Sequence, residues 1–100
     1  MKLLLITCIE EFEKEVKKIL NHSGVKSFSV QSVKGYRNES GNELNNWFSS
    51  EHIATNSLLF TVFIEQNCLG EIIQGIETFN MNRISLSRIH LAGFNIETIV

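Results

Sequence analysis

No proline occurs among the 100 residues of this chain, so no turn in it is fixed by a pyrrolidine ring. Cysteine is scarce. Cys8 and Cys68 each lie in or beside an apolar stretch, the setting of buried reduced thiols rather than of a disulfide or a metal pair. No apolar run approaches about 20 residues, which excludes a membrane-spanning helix. Positive charge is not in excess. Nine Lys and Arg against eleven Asp and Glu give a net charge of −2. That leaves no basic footprint for nucleic acid and no polybasic patch for a membrane surface. The N-terminal run Met1 to Ile9 is apolar, but Glu10, Glu11 and Glu13 follow at once with no small-residue cleavage site. It does not read as a secretory signal. A cytoplasmic protein without direct membrane insertion is expected.

What is present fits a single domain spanning residues 1–100, with 43% hydrophobic residues. Residues 2–8 are apolar on both faces of a strand, Leu3 and Leu5 pointing one way, Leu4 and Ile6 the other. A helix follows over about 10–22, with Phe12, Val16, Ile19 and Leu20 on one stripe. Glu10, Glu11 and Glu13 suit its positive end, and His22 suits its C-terminal end. Ser23-Gly24 stops it, Gly24 serving as a left-handed cap. A second strand runs from about Lys26 to Tyr36.

Residues 37–50 are polar and without apolar period, and read as a flexible loop broken by Trp47-Phe48. A third strand covers about 53–65, apolar on both faces from Leu58 to Ile64. A second helix spans about 67–80, with Leu69, Ile72, Ile73, Ile76 and Phe79 at helical spacing. Gly70 and Gly75 weaken it by up to about 1 kcal/mol each relative to Ala. A last strand starts near Arg83. The parity change between Ile84 and Leu86 and then Ile89 and Leu91 predicts a bulge or break, and Gly93 an interruption.

The order is βαββαβ. It predicts an α+β, ferredoxin-like sandwich with two helices on one face of an antiparallel sheet. The other face of such a sheet is usually polar. Here the first and third strands are apolar on both sides, and each such side chain left in water costs about 1.5–3 kcal/mol. Self-association through the open face follows, with Phe60 or Val62 expected at the interface.

Gly24-Val25, Ser29-Val30 and Val33-Lys34-Gly35-Tyr36 resemble the second strand of the P-II signal-transduction superfamily. That strand reads roughly Gly-Ile/Val, then Thr-Val, then Val-Lys-Gly-Phe-Gly. The element order, the length of the first helix and the position of the polar loop extend the resemblance over most of the chain. It implies a homotrimer whose inward sheet faces form the core, a small ligand between subunits, and a T-loop over about 37–52. Through that loop such proteins control a partner, such as a membrane transporter, a metal-efflux system or another regulated protein. By resemblance, Ser29, Gly35, Tyr36, Arg37 and Asn38 would line the ligand cleft.

The chain departs from the pattern. Arg37 replaces the second glycine, and Thr78 to Arg83 replaces the glycine- and lysine-bearing phosphate loop. The paired late arginines are missing, with Arg83 and Arg88 as electrostatic substitutes. These departures speak against nucleotide sensing, so the cofactor stays open between an anionic ligand and a metal.

Trp47 and Phe48 are candidate partner anchors, since large aromatics dominate binding hot spots, or else they fold back onto the domain. Glu51 and His52 are candidate metal ligands. Two ligands fall short of the four of a closed site unless subunits share them. On them rests an alternative reading, a CutA-like divalent-cation-binding or metal-tolerance trimer. His90 reads as a structural strand histidine. No catalytic constellation is present, and Thr7-Cys8-Ile9-Glu10-Glu11 would repel an acyl phosphate where an acylphosphatase needs its arginine loop. A non-enzymatic protein is expected.

Overall fold

In the computed structural model, which describes residues 1–36, 55–83 and 87–100, strand pairing sorts the apolar side chains into two sets. Strand β1 (Lys2–Ile9) pairs antiparallel with β3 (Thr55–Ile64) from Lys2 opposite Ile64 to Ile9 opposite Ser57. It pairs on its other side with β4 (His90–Asn95), from Lys2 opposite Asn95 to Thr7 opposite His90. Strand β2 (Ser29–Gly35) pairs with β3. The sheet order is β2-β3-β1-β4. Helix α1 (Glu13–His22) links β1 to β2, and α2 (Leu69–Met81) precedes β4. Each helix is entered through a 3-10 turn, Glu10–Phe12 and Gln66–Cys68. Both helices lie on one face of the sheet, as the βαββαβ order predicts. No helix among the described residues is long and apolar enough to cross a membrane.

Successive strand residues point to opposite faces. Leu4, Ile6 and Cys8 of β1 and Leu58, Phe60, Val62 and Ile64 of β3 therefore share the helix side, and all are buried. They meet Phe12, Val16 and Leu20 from the first helical segment and Ile72 and Ile76 from α2 in one core. Phe12 packs edge-on against Phe79, ring centroids 4.9 Å apart, which ties the entry of α1 to the end of α2. Phe60 and Val62 have no solvent exposure. The expectation that one of them faces a subunit interface is therefore wrong, because the helices cover their parity. Leu59 and Phe63 hold the outward positions instead.

The end of α1 follows from Gly24, whose φ is +88°. The Gly24 N–H donates to the Asn21 carbonyl at 3.2 Å and the Val25 N–H to the Leu20 carbonyl at 3.0 Å. These are the two bonds of a Schellman cap, and Val25 and Leu20 both enter the core. Two other boundaries differ from expectation. Residues 26–28 precede β2 rather than belong to it. The last strand begins only at His90 and runs through Gly93, which pairs with Leu4.

Ile89 lies before that strand and is held differently. The Asn80 amide donates to the Ile89 carbonyl and accepts from the Ile89 N–H, both at 2.9 Å. One side chain thus plays the part of a neighbouring strand for a buried residue.

The two glycines of α2 play unlike roles. An added Cβ at Gly75 would lie 3.0 Å from Cγ2 of Ile19 on α1, whereas at Gly70 it would meet nothing within 4 Å. Gly70→Ala should stabilise the fold by up to about 1 kcal/mol through helix propensity. Gly75→Val should cost about 1–3 kcal/mol by forcing the helices apart. Urea unfolding of both variants checks this contrast, with equal shifts counting against it.

Candidate ligand and subunit interface

The face of the sheet opposite the helices carries the odd-numbered residues of β1 and β3. One row across the strands reads Phe63, Leu3, Phe94. The next reads Ser29, Thr61, Leu5, Ala92, and the next Gln31, Leu59, Thr7, His90. Val33, Ser57 and Ile9 form a fourth. Phe63 is 56% exposed and Phe94 48% exposed, while Leu3, Leu5 and Leu59 are half-buried. The central strands thus present an apolar surface. Phe94 joins it from the edge strand, a contribution hidden in the sequence by the misplaced start of β4.

The proposed ligand residues fall into three places. Gly35 ends β2, with Tyr36 exposed just beyond it. Gly35 lies opposite Thr55, and a Cβ there would meet the Ser57 hydroxyl oxygen at 2.9 Å. A side chain at that position would therefore displace the Ser57 hydroxyl. Arg88 lies two residues before β4, at the same end of the sheet but on its far edge, while Arg83 follows the end of α2 on the helix side. Three strand spacings separate the two edges, about 14 Å. Ser29 begins β2 and sits six residues, or about 20 Å, from Gly35. One subunit does not bring these groups together. Arg37 and Asn38, the anchors Trp47 and Phe48, and the metal candidates Glu51 and His52 lie outside the described residues.

Arg83 is held in place. Its guanidinium sits 4.7 Å from the centroid of Phe12 and 5.2 Å from that of Phe79, over the edge-to-face aromatic pair. Cation–π attraction fixes the cation on an apolar platform while leaving it exposed. The half-buried Arg88 donates from Nη1 to the Ser87 carbonyl at 3.0 Å.

The residues Thr78 to Met81, where a phosphate loop would be needed, still belong to α2. Their N–H groups are therefore directed along the helix axis toward carbonyls rather than gathered around an anion.

A groove of about 360 Å³ lies between the helices on the outer side. Its floor is Ile19, Gly75 and Phe79, and its rim includes Glu15, Lys18, His22 and Glu71. The i, i+3, i+4, i+7 spacing of Glu15, Lys18, Ile19 and His22 was the available signal for it. Among the described residues no group of three or more His, Cys, Asp or Glu could hold a metal.

Both cysteines are free thiols. Cys8 lies near the end of β1 opposite Leu58, and Cys68 follows the far end of β3, so the length of the strands separates them along the same core. Burial, and secondarily the negative charge of Glu13, pushes the Cys8 thiol up to about 11.

No family model and no curated protein sequence matches the chain. Among solved structures, the fold matches CPII, a nitrogen regulatory PII-like protein from Thiomonas intermedia K12. The complex of CPII with ADP, AMP and bicarbonate superposes with a TM-score of 0.64 at 12% identity, covering 99% of this chain and 94% of that one. Its complex with ADP and bicarbonate gives 0.60 at 13% identity, over 93% of this chain and 86% of that one. The chain has the fold of a PII-like protein, in agreement with the resemblance carried by Gly24 to Tyr36.

The raised Cys8 thiol has a signed consequence. The folded state holds this proton more tightly than the unfolded chain, whose thiol titrates near 9.0. The contribution is therefore fully present below pH 9.0 and is lost as pH rises toward about 11. Cys8→Ala should flatten the fall in stability over that interval, as measured by urea unfolding at stepped pH. At pH 8 the wild-type Cys8 should react with iodoacetamide more slowly than Cys68, which mass spectrometry of timed samples can read.

Proposed function

We propose that this protein is a non-enzymatic, P-II-like regulatory protein: a homotrimer closed through the open sheet face. It takes a small ligand between subunits and acts on a partner through residues 37–52. The observation that carries the reading is the apolar open face on a PII-like fold. Leu3, Leu5, Leu59, Phe63 and Phe94 each keep part of their surface in water, at a fraction of the about 1.5–3 kcal/mol that a fully exposed side chain costs, and neighbouring copies would remove that cost.

Assembly also supplies what one chain lacks. Gly35 and Tyr36 lie at the β2 edge of the sheet, with Arg37 and Asn38 next in the sequence; Arg88 lies two residues before the opposite edge strand, and Arg83 past the end of α2 on the helix side. A neighbouring subunit would set one edge against the other and form a cationic cleft. CPII is found with ADP, AMP and bicarbonate, so an anion is the chemistry expected there. The helical end of α2 favours a compact anion over a polyphosphate, because no glycine loop gathers N–H donors. Ligand occupancy would shift the population of loop conformations and so the fit to the partner, a transporter or another regulated protein.

Two experiments test the reading. Sedimentation should find the wild type trimeric and Phe63→Asp monomeric with its circular dichroism retained, whereas Phe60→Asp should unfold. A stable wild-type monomer would overturn the assembly. Calorimetry should find ATP binding weak or absent. A micromolar affinity lost on Arg83→Ala would show that the cleft is a nucleotide site after all.

A further inference from the structure

His90 is the one ionisable side chain among the described ladder positions of the open face. Every other position there is apolar, hydroxyl, amide or glycine. We propose that His90 makes self-association through this face pH-sensitive, so that the protein assembles near neutral pH and releases its subunits in mild acid. The inference rests on the self-association reading given above and adds a control to it.

The placement sets the energetics. His90 opens β4 and is exposed in the single subunit. Directly across from it lies Thr7 of β1, and beyond Thr7 lies Leu59 of β3. On its own strand the next residue of the same face is Ala92. None of these carries a charge that could offset an imidazolium.

The charged groups in the surroundings lie beyond the ladder. Arg88, two residues earlier in the chain, is a cation and opposes a second positive charge. Glu10 and Glu11 lie in the 3-10 turn that follows β1. At the other end of the sheet stand the Met1 amino group and Glu65, outside the paired residues.

A neutral imidazole can be covered by a neighbouring copy, through its hydrogen-bonding nitrogens and its flat ring. An imidazolium covered by the same surface loses its hydration with no carboxylate among the described ladder positions of the face to replace it. Symmetric closure makes matters worse, since every copy brings the same cation. The assembled state therefore binds fewer protons than the separate subunits. By linkage, lowering the pH through the imidazole range drives the equilibrium toward free subunits.

The test is sedimentation equilibrium of the full chain at pH 7.5 and pH 5.5, with circular dichroism at both. The wild type should associate at least roughly tenfold more weakly at the lower pH than at the higher. His90→Gln keeps a neutral polar side chain and should associate equally at both values. His90→Lys should be dissociated at both while remaining folded. A wild type that stays assembled with unchanged affinity at pH 5.5 overturns the inference but leaves the self-association reading standing. So does a His90→Gln variant that keeps the full pH response. A wild type that is monomeric at both pH values overturns the self-association reading and this inference with it.

Discussion

The antiparallel ladder between β1 and β3 is the constraint on which the rest of the molecule depends. Both strands carry apolar residues on both faces, from Leu3 to Ile6 and from Leu58 to Ile64, so hydrophobicity by itself does not say which side chains face inward. The pleat divides them, and the register from Lys2–Ile64 to Ile9–Ser57 keeps the division consistent across the pair. Even-numbered residues then belong to the helices and odd-numbered residues to the open face. A slip of one residue in either strand would exchange core for surface along its whole length. The core residues Phe60 and Val62 and the outward residues Leu59 and Phe63 are neighbours in sequence whose roles differ only through this register.

Much of the fold could be read from the chain because its local signals agree with one another. The stripe Phe12, Val16, Leu20 marks the buried side of the first helical segment, and all three are buried. Gly24 marks the helix end and adopts the left-handed conformation its position requires. Double-sided apolarity in β1 and β3 pointed to an open apolar face, which is what the sheet presents. The parity of that face was not legible, because it depends on which side the helices cover, and nothing local to Phe60 or Val62 records it.

The last strand was the least legible element. Ile89 looks like a strand residue by type, but its backbone is satisfied by the Asn80 side chain nine positions earlier. A long-range amide clamp leaves no period in the sequence. For the candidate site, the single-strand resemblance found Gly35 and Tyr36 at one end of β2, while Ser29 of the same motif lies at the other end. A motif in a strand is linear, whereas a cleft needs residues from several elements at one level. Arg83 was singled out for its charge alone. Its seat on Phe12 and Phe79 depends on the meeting of two helices, which composition does not reveal.

The chain order of the sheet carries a consequence for biosynthesis. Strand β1, one of the two central strands, precedes both of its partners β3 and β4 in the chain, so Lys2 must wait for Ile64 and then Asn95. At about 5–20 residues per second, the ribosome takes about 3–12 s to supply the first of these partners. Throughout that interval the nascent chain carries a strand apolar on both sides with neither edge paired. The hazard is greatest when many ribosomes translate one message side by side, since identical unpaired strands are then held close together. Codon usage over the segment between β1 and β3 therefore bears on yield, even where it leaves the protein unchanged.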